Sequence, residues 1–357
     1  MPRRRAEQRS GDGGSGDERR STIRDVATRA GVSVATVSRV LAGNYPTAPA
    51  TRSKVLRAVK ELDYVVNVHA RALAGVGRKT IAILTREVVT PFYALVIQGA
   101  EEQAAQEGRL CLICTTRSEP ERELAYLKMM REQGADAVLI VGGVIETPEY
   151  RRQLAQYAQA LSSAGSRLVL CGRPGLGDDV PALVAHYDNE GGAYAATSHV
   201  LSAGHERVMF LGGVKDFTTT EPRIAGYIRA LADRGLEPLV HQGSHGTPFG
   251  YQRMKELLRQ GPMPATAVVA ADDGCAAGAI LALREGGLRV PEDISIVGYD
   301  DVPMAAHMWP PLTTVHIPAE ELGRTAVRMA LHPSAMHPTT TLGTHIVVRQ
   351  SVARRTG

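Results

Sequence analysis

Seven short apolar runs, TIAILTR, RLCLICTT, DAVLIVGG, RLVLCG, RVMFLGG, TAVVAAD and ISIVGYD, recur between residues 80 and 300, separated by amphipathic stretches of helical length such as ALVIQGAEEQAAQEG and RELAYLKMMREQG. Strands that are apolar throughout are buried on both faces, which requires helices on both sides of a sheet of parallel strands. The body of the chain is therefore an α/β structure. From Lys79 on it is nearly 280 residues long, too much for one such sheet, and two similar lobes accommodate it better.

The first 79 residues break this pattern. They hold 16 Lys and Arg against 7 Asp and Glu, an excess of nine, so the other 278 residues are five charges negative in a chain of net charge +4. A basic end on an acidic body is the electrostatic footprint of phosphate binding. Residues 1–20, rich in Gly, Ser, Arg and Asp, read as a disordered basic tail, but they supply only two of the nine excess charges.

The remaining excess lies where helical patterning begins. Thr22 and Asp25 have the spacing of a capping box, and Ile23, Val26, Ala27 and Ala30 then share one apolar face. Gly31 can take the left-handed conformation that stops this helix, and Ser33 caps the next. In the second helix Val37, Val40 and Leu41 face the core, with Val34, Ala35, Ser38 and Arg39 on the other side. A third helix, about residues 50–62, repeats the pattern with Val55, Leu56, Val59 and Leu62. Three short helices, the first two joined by a tight turn, predict an all-α helix-turn-helix domain over 21–66. Val34 and Ala35 then enter the major groove first, where they can touch thymine methyls. Arg39 can fork onto a guanine, and Thr36 and Ser38 reach phosphates or base edges.

The segment TIRDVATRAGVSVATVSRVLAGN, followed by TRSKVLRAVKELDYVVNVHARALAG, closely resembles the DNA-binding headpiece of the LacI/GalR family of bacterial transcription regulators, and the likeness extends over the body. The resemblance implies a short hinge helix and linker at 67–78, formed when a dimer binds its operator. Within it Leu73 would wedge into the minor groove, flanked by Ala70 and Ala74, a role that suits an apolar side chain. It also extends the DNA-facing set to Thr22, Ser33, Asn44, Asn67 and His69. Two positions depart from the family pattern: Val66 stands where Pro is usual, and Ala48 replaces a polar helix cap. The loss of that cap should cost about 1 kcal/mol. For the body the resemblance implies a periplasmic-binding-protein-like fold over 79–350, crossed three times by the chain. The crossings fall near Asp188, Val315 and Thr344, making lobe one 80–187 and 315–343 and lobe two 188–314 and 344–350, with 351–357 as a tail. No heptad repeat follows the last strand, so a homodimer is expected.

Ligands of open α/β sheets bind beyond the carboxyl ends of the strands. Asp300 ends ISIVGYD, Asp272 ends TAVVAAD, and Arg223 opens the helix after RVMFLGG and its loop. By resemblance these are the family's effector-binding carboxylate, a residue that is usually Asn, and its effector-binding Arg. A carboxylate opposed by an Arg fork suits a polyhydroxylated ligand. Phe92 and Tyr93 after the first strand, Thr219 beside Arg223, Arg173 after RLVLCG, and His245 and Trp309 at the family's ring-contact positions complete the candidates. Asp273 reads as an ordinary N-cap of the helix that follows. Gly172 stands where many relatives carry an acid, which separates the ligand of this chain from theirs, and Asp in place of Asn at 272 leaves an amine or other cationic effector open as well.

The function this implies is a DNA-binding repressor of carbohydrate uptake or catabolism genes, acting on a palindromic operator in double-stranded DNA. A sugar or sugar derivative in the interlobe cleft would control it. A corepressor-dependent regulator or an activator responding to a non-sugar effector fits the same residues. Enzymatic function is not expected: no G-x-G-x-x-G follows the first strand and no G-x-S-x-G occurs. Cofactors and metals are not expected either. Cys111 and Cys114 form a CxxC within a strand, where i and i+3 face opposite ways, so they read as core, and Cys171 and Cys275 have no framework spacing. The absence of a secretory signal and of any run of about 18 apolar residues predicts a cytoplasmic protein without membrane contact and argues against a transport-type binding protein.

Overall fold

Eight residues suffice for the first helix, α1 (Ile23–Ala30), because both its ends are closed. Thr22 accepts from the Asp25 amide while the Asp25 carboxylate accepts from the Thr22 amide, and Gly31, at φ 67°, returns its N–H to the last turn. The computed structural model describes residues 21–42, 46–64 and 80–355, in two units, Met1–Arg78 and Lys79–Gly357. In the first, α1 packs with α2 (Val34–Ala42) and α3 (Pro49–Glu61) around Val26, Ala30, Val37, Val40 and Val55. Leu56, expected in this core, is exposed instead. Tyr64, just after α3, fills the core with Ala58. Helix α3 begins at Ala48 with no side-chain cap.

The second unit contains two six-stranded sheets. In lobe one, β1 (Thr80–Thr85), β2 (Leu110–Thr115), β3 (Ala137–Val141), β4 (Arg167–Cys171) and β5 (Ala182–Tyr187) alternate with α4 (Pro91–Gln106), α5 (Pro120–Gln133) and α6 (Pro148–Ser163). In lobe two, α7 (Asn189–Ser202), β6 (Val208–Leu211), α8 (Thr220–Ala232), β7 (Leu239–His241), α9 (Thr247–Gln260), β8 (Ala267–Ala270), α10 (Asp273–Glu285), β9 (Ser295–Asp300) and β10 (Thr313–His316) follow in order. The chain then returns to lobe one with α11 (Ala319–Leu331) and β11 (Thr339–Leu342), and ends in lobe two with β12 (His345–Val347). All pairings are parallel except β10 with β12. One apolar cluster lies against a face of each sheet and runs through both lobes, from Ile81 and Val96 to Tyr227 and Val297, and a further cluster fills the opposite face of each.

Three sequence expectations need correction. Strand β10 keeps Val315 and His316 in the second sheet by pairing with β9, so the second crossing falls after His316, not at Val315. Residues 351–355 are no tail: Ser351 is buried and donates to Ile296 O, Ala353 N bonds Ser295, and Arg355 N bonds Ala203 O. Strand β2 is an edge strand, paired only with β1, so Leu110, Leu112 and Ile113 are exposed rather than buried. Cys111 and Cys114 are half-buried there and pack on clusters at opposite faces of the sheet. Burial pushes the Cys111 thiol up to about 11. Among the described residues no helix is long and apolar enough to cross a membrane, and no three His, Cys, Asp or Glu side chains are placed to hold a metal ion.

Candidate functional site

Helix α2 carries the surface expected to read DNA. Ser33 accepts from the Thr36 amide at 3.1 Å, and its hydroxyl meets that of Thr36 at 2.9 Å. The same turn leaves Val34 (41% exposed) and Ala35 outward at the start of the helix, with Arg39 exposed one turn on and Ser38 half-buried. Thr22 is engaged in the α1 capping box. Asn44, Asn67, His69, Ala70, Leu73 and Ala74 lie outside the described residues.

The second site is a cavity of about 490 Å³ between the lobes, at the carboxyl ends of the strands of both sheets. Arg223, in the first turn of α8, is buried and held on every side. Nε donates to Asn189 Oδ1 at 2.8 Å, Nη1 to Ala271 O, and Nη2 to both the Tyr187 hydroxyl and Asp300 Oδ1 at 3.3 Å. Its guanidinium also stacks over the Tyr299 ring, 3.8 Å from the centroid. Asp300 ends β9 with φ 101°. Burial, opposed by Arg223, pushes its carboxyl up to about 6. Its Oδ2 accepts no hydrogen bond from a described side chain or amide, so one carboxylate oxygen remains for a ligand.

Asp272 lines the same cavity and also closes a helix start. Its Oδ1 accepts from Cys275 N at 2.8 Å, which makes Asp272, not Asp273, the N-cap of α10. The carboxylate also accepts from Gly246 N, at the start of α9, and from His245 Nδ1 at 3.0 Å. Burial raises its carboxyl, but these bonds and the His245 ring outweigh that and hold it below the ordinary range. One negative charge thus meets two helix N-termini. Asp273 sits beneath, accepting from Val302 N and Thr314 Oγ1, and burial next to Asp300 drives its carboxyl far up. With Asp272 engaged this way, its carboxylate is not free to meet an amine.

The rest of the wall is aromatic and hydroxylic. Phe92 and Tyr93, in the first turn of α4, meet edge-to-face at 5.4 Å, and Phe92 meets Tyr187 at 6.0 Å. Phe217 packs on His245 at 5.6 Å, and Thr219 and Thr247 bring hydroxyls. Two glycines let these rings close in: a Cβ on Gly142 would lie 2.7 Å from Tyr93, and one on Gly143 2.5 Å from Phe217. Phe92, Tyr93, Thr219, Arg223, His245, Asp272 and Asp300 are thus brought together. Arg173 and Trp309 are not. Arg173 turns into lobe one, where it pairs with Glu123, and Trp309 is 83% exposed. Sequence reasoning missed Arg86, Gly142, Gly143, Tyr187 and Phe217. Its strand-end rule, extended to β3 and β5, reaches Gly142 and Tyr187; Phe217 lies mid-loop and carried no signal.

Comparison with known proteins places these features in a group. Residues 22–67 match the family model for bacterial regulatory proteins, lacI family, and 197–352 that for a periplasmic binding protein-like domain. The HTH-type transcriptional regulator CelR of Thermobifida fusca is 37% identical over 350 residues, 93% of this chain and 98% of its own. The transcriptional repressor PurR of Haemophilus influenzae is 34% identical over 314 residues, 87% and 90% of the two chains. Among solved structures, the lac repressor dimer bound to operator and the anti-inducer ONPF is similar with a TM-score of 0.80 at 28% identity, covering 93% of this chain and 99% of that one. A CelR–cellobiose complex is similar with a TM-score of 0.65 at 34% identity, covering 93% and 100%. With a headpiece matched by the family's own model and relatives aligned over nearly their whole length, the chain belongs to the lacI family of bacterial regulatory proteins, DNA-binding transcriptional regulators rather than enzymes.

Proposed function

We propose that the protein represses genes of carbohydrate uptake or catabolism, binding a palindromic operator as a homodimer and responding to a sugar in the interlobe cavity. The observation that carries the sugar reading is the free oxygen of Asp300 beside the fixed fork of Arg223, facing a wall of Phe92, Tyr93, Tyr187 and Phe217. Hydroxyls donate to the carboxylate, and the apolar face of a sugar ring lies against aromatic side chains. The likeness to a CelR–cellobiose complex supports the same class. Asp272, closed off by two helix starts and His245, gives no support to a cationic effector.

Two exposed apolar features support a second copy as partner: the β2 edge with Leu110, Leu112 and Ile113, and Trp309. The likeness to a lac repressor dimer on its operator points the same way. In such a dimer a ligand that binds one lobe arrangement better than the other shifts the angle between lobes. That angle sets the spacing of the two segments at 67–78 and so whether both Leu73 side chains can enter the minor groove.

The test is a gel-shift assay with DNA upstream of the protein's own gene, repeated across a panel of sugars that starts with cellobiose. Binding to a palindromic site, weakened about tenfold or more by one sugar, is the expected result. No binding to any palindrome overturns the operator assignment. Tight binding that no sugar alters overturns the effector assignment alone.

A further inference from the structure

Arg173, turned away from the cavity, is tied to its wall by one bond. Its guanidinium is buried between Glu123 of α5 and Tyr150 of α6. Nη1 and Nη2 donate to the two Glu123 oxygens at 2.9 and 3.2 Å, Nη1 also donates to the Tyr150 hydroxyl at 2.9 Å, and that hydroxyl donates to Glu123. Nε remains, and it donates to Gly142 O at 2.7 Å. Since Gly142 N bonds Cys171 O at 2.9 Å, both backbone groups of this wall residue are fixed from inside lobe one.

Two residues further on, the same loop meets lobe two. Thr218 N donates to Val144 O at 3.0 Å, and Val144 N donates to Thr218 Oγ1 at 3.1 Å. Ile145 and Phe217 form an antiparallel bridge beside them. This clasp joins the β3–α6 loop to the β6–α8 loop, and its member Phe217 and the neighbouring Gly143 are also cavity wall. We propose that Arg173 is a positioning residue: through Gly142 it holds the Val144–Thr218 clasp in register, so that the wall a ligand touches is also a contact between the lobes. The consequence for effector response rests on the sugar reading above; the clasp does not.

A buried ion pair present only for packing would behave differently, because replacing such a pair with apolar side chains of similar volume is often neutral or stabilising. The experiment uses the full chain without ligand and reads amide hydrogen exchange at Val144 and Thr218. The variants are E123M/Y150F/R173M, which leaves no orphaned side-chain partner and removes the donor to the Gly142 carbonyl, and Arg173→Lys, which keeps the charge but lacks the Nε donor. Thr218→Val, which removes the acceptor of the Val144 amide, calibrates the exchange expected at Val144 when that bond is open. If Arg173 positions the clasp, both Arg173 variants exchange about tenfold faster at these two amides while the melting temperature stays near that of the parent. Unchanged exchange in the triple variant overturns the proposal; should that variant fail to fold, unchanged exchange in Arg173→Lys does so. A parallel cellobiose titration of operator binding should show the ligand-induced change in affinity reduced several-fold in the same variants. Absence of any cellobiose effect in the parent chain speaks against cellobiose as effector and leaves the exchange result to decide on Arg173.

Discussion

At φ 101°, Asp300 occupies backbone space that side chains rarely adopt, a strain of about 1–3 kcal/mol that persists where surroundings over-determine a functional position. Its raised carboxyl, about 6 against an ordinary 3.8, means that the folded chain retains a proton here that the unfolded chain has lost. The contribution to stability is therefore full below about pH 4 and lost as pH rises through about 6. Ligand binding has the opposite sign, because hydroxyl donors need the ionised carboxylate. Sugar affinity should be flat above about pH 6.5 and fall toward tenfold per unit below 6, and Asp300→Asn should bind more weakly with that slope abolished. Calorimetric titration at several pH values checks both. A slope unchanged in the variant would assign the proton to another group. At this scale the strand-end rule picked out Asp272 and Asp300 from sequence and the family resemblance picked out Arg223, all three of which line the cavity. The rule misplaced Arg173 and the resemblance Trp309, since nothing local reveals that Glu123, fifty residues earlier, waits for the guanidinium, or that the ring is exposed.

Helix ends show how far local rules reach. The box at Thr22 and the stop at Gly31 were legible because each involves residues a few positions apart. The cap of α10 was assigned one residue late, to Asp273, because both aspartates satisfy the pattern and only the approach of Gly246 and His245 selects Asp272. The exposure of β2 was not legible, since its apolar run matches those of central strands and edge position is a property of the sheet. Helix α3 supplies the prediction here. Ala48 has an extended backbone and no side-chain cap bond, so Ala48→Ser should stabilise the N-terminal unit by about 1 kcal/mol. In a unit of this size that raises its melting temperature by about 4–8 °C, measurable by circular dichroism; no rise would mean the α3 amides already have other partners.

For the whole molecule, the apolar runs together with the length of the body were enough to foresee two α/β lobes, and the headpiece pattern enough to foresee a DNA-reading unit. The second crossing and the tethering of 351–355 depended on pairings between distant strands, such as β10 with β9 and Ser351 with Ile296. The surfaces left apolar predict assembly. Glu in place of both Ile113 and Trp309 should shift the protein from dimer to monomer in sedimentation velocity. It should also weaken palindrome binding by about 10²-fold or more, because two headpieces no longer act together; a dimer that survives would place the interface elsewhere.

The return of α11 and β11 to lobe one also governs how the chain must be made. Although that lobe opens at Thr80, its covering helix and outer strand are not available until residue 342 has left the ribosome, after almost all of lobe two. Neither lobe can finish first, and with an apolar cluster shared between them they form a body whose halves acquire their structure together near the end of synthesis, a slow route that waits on long-range pairings.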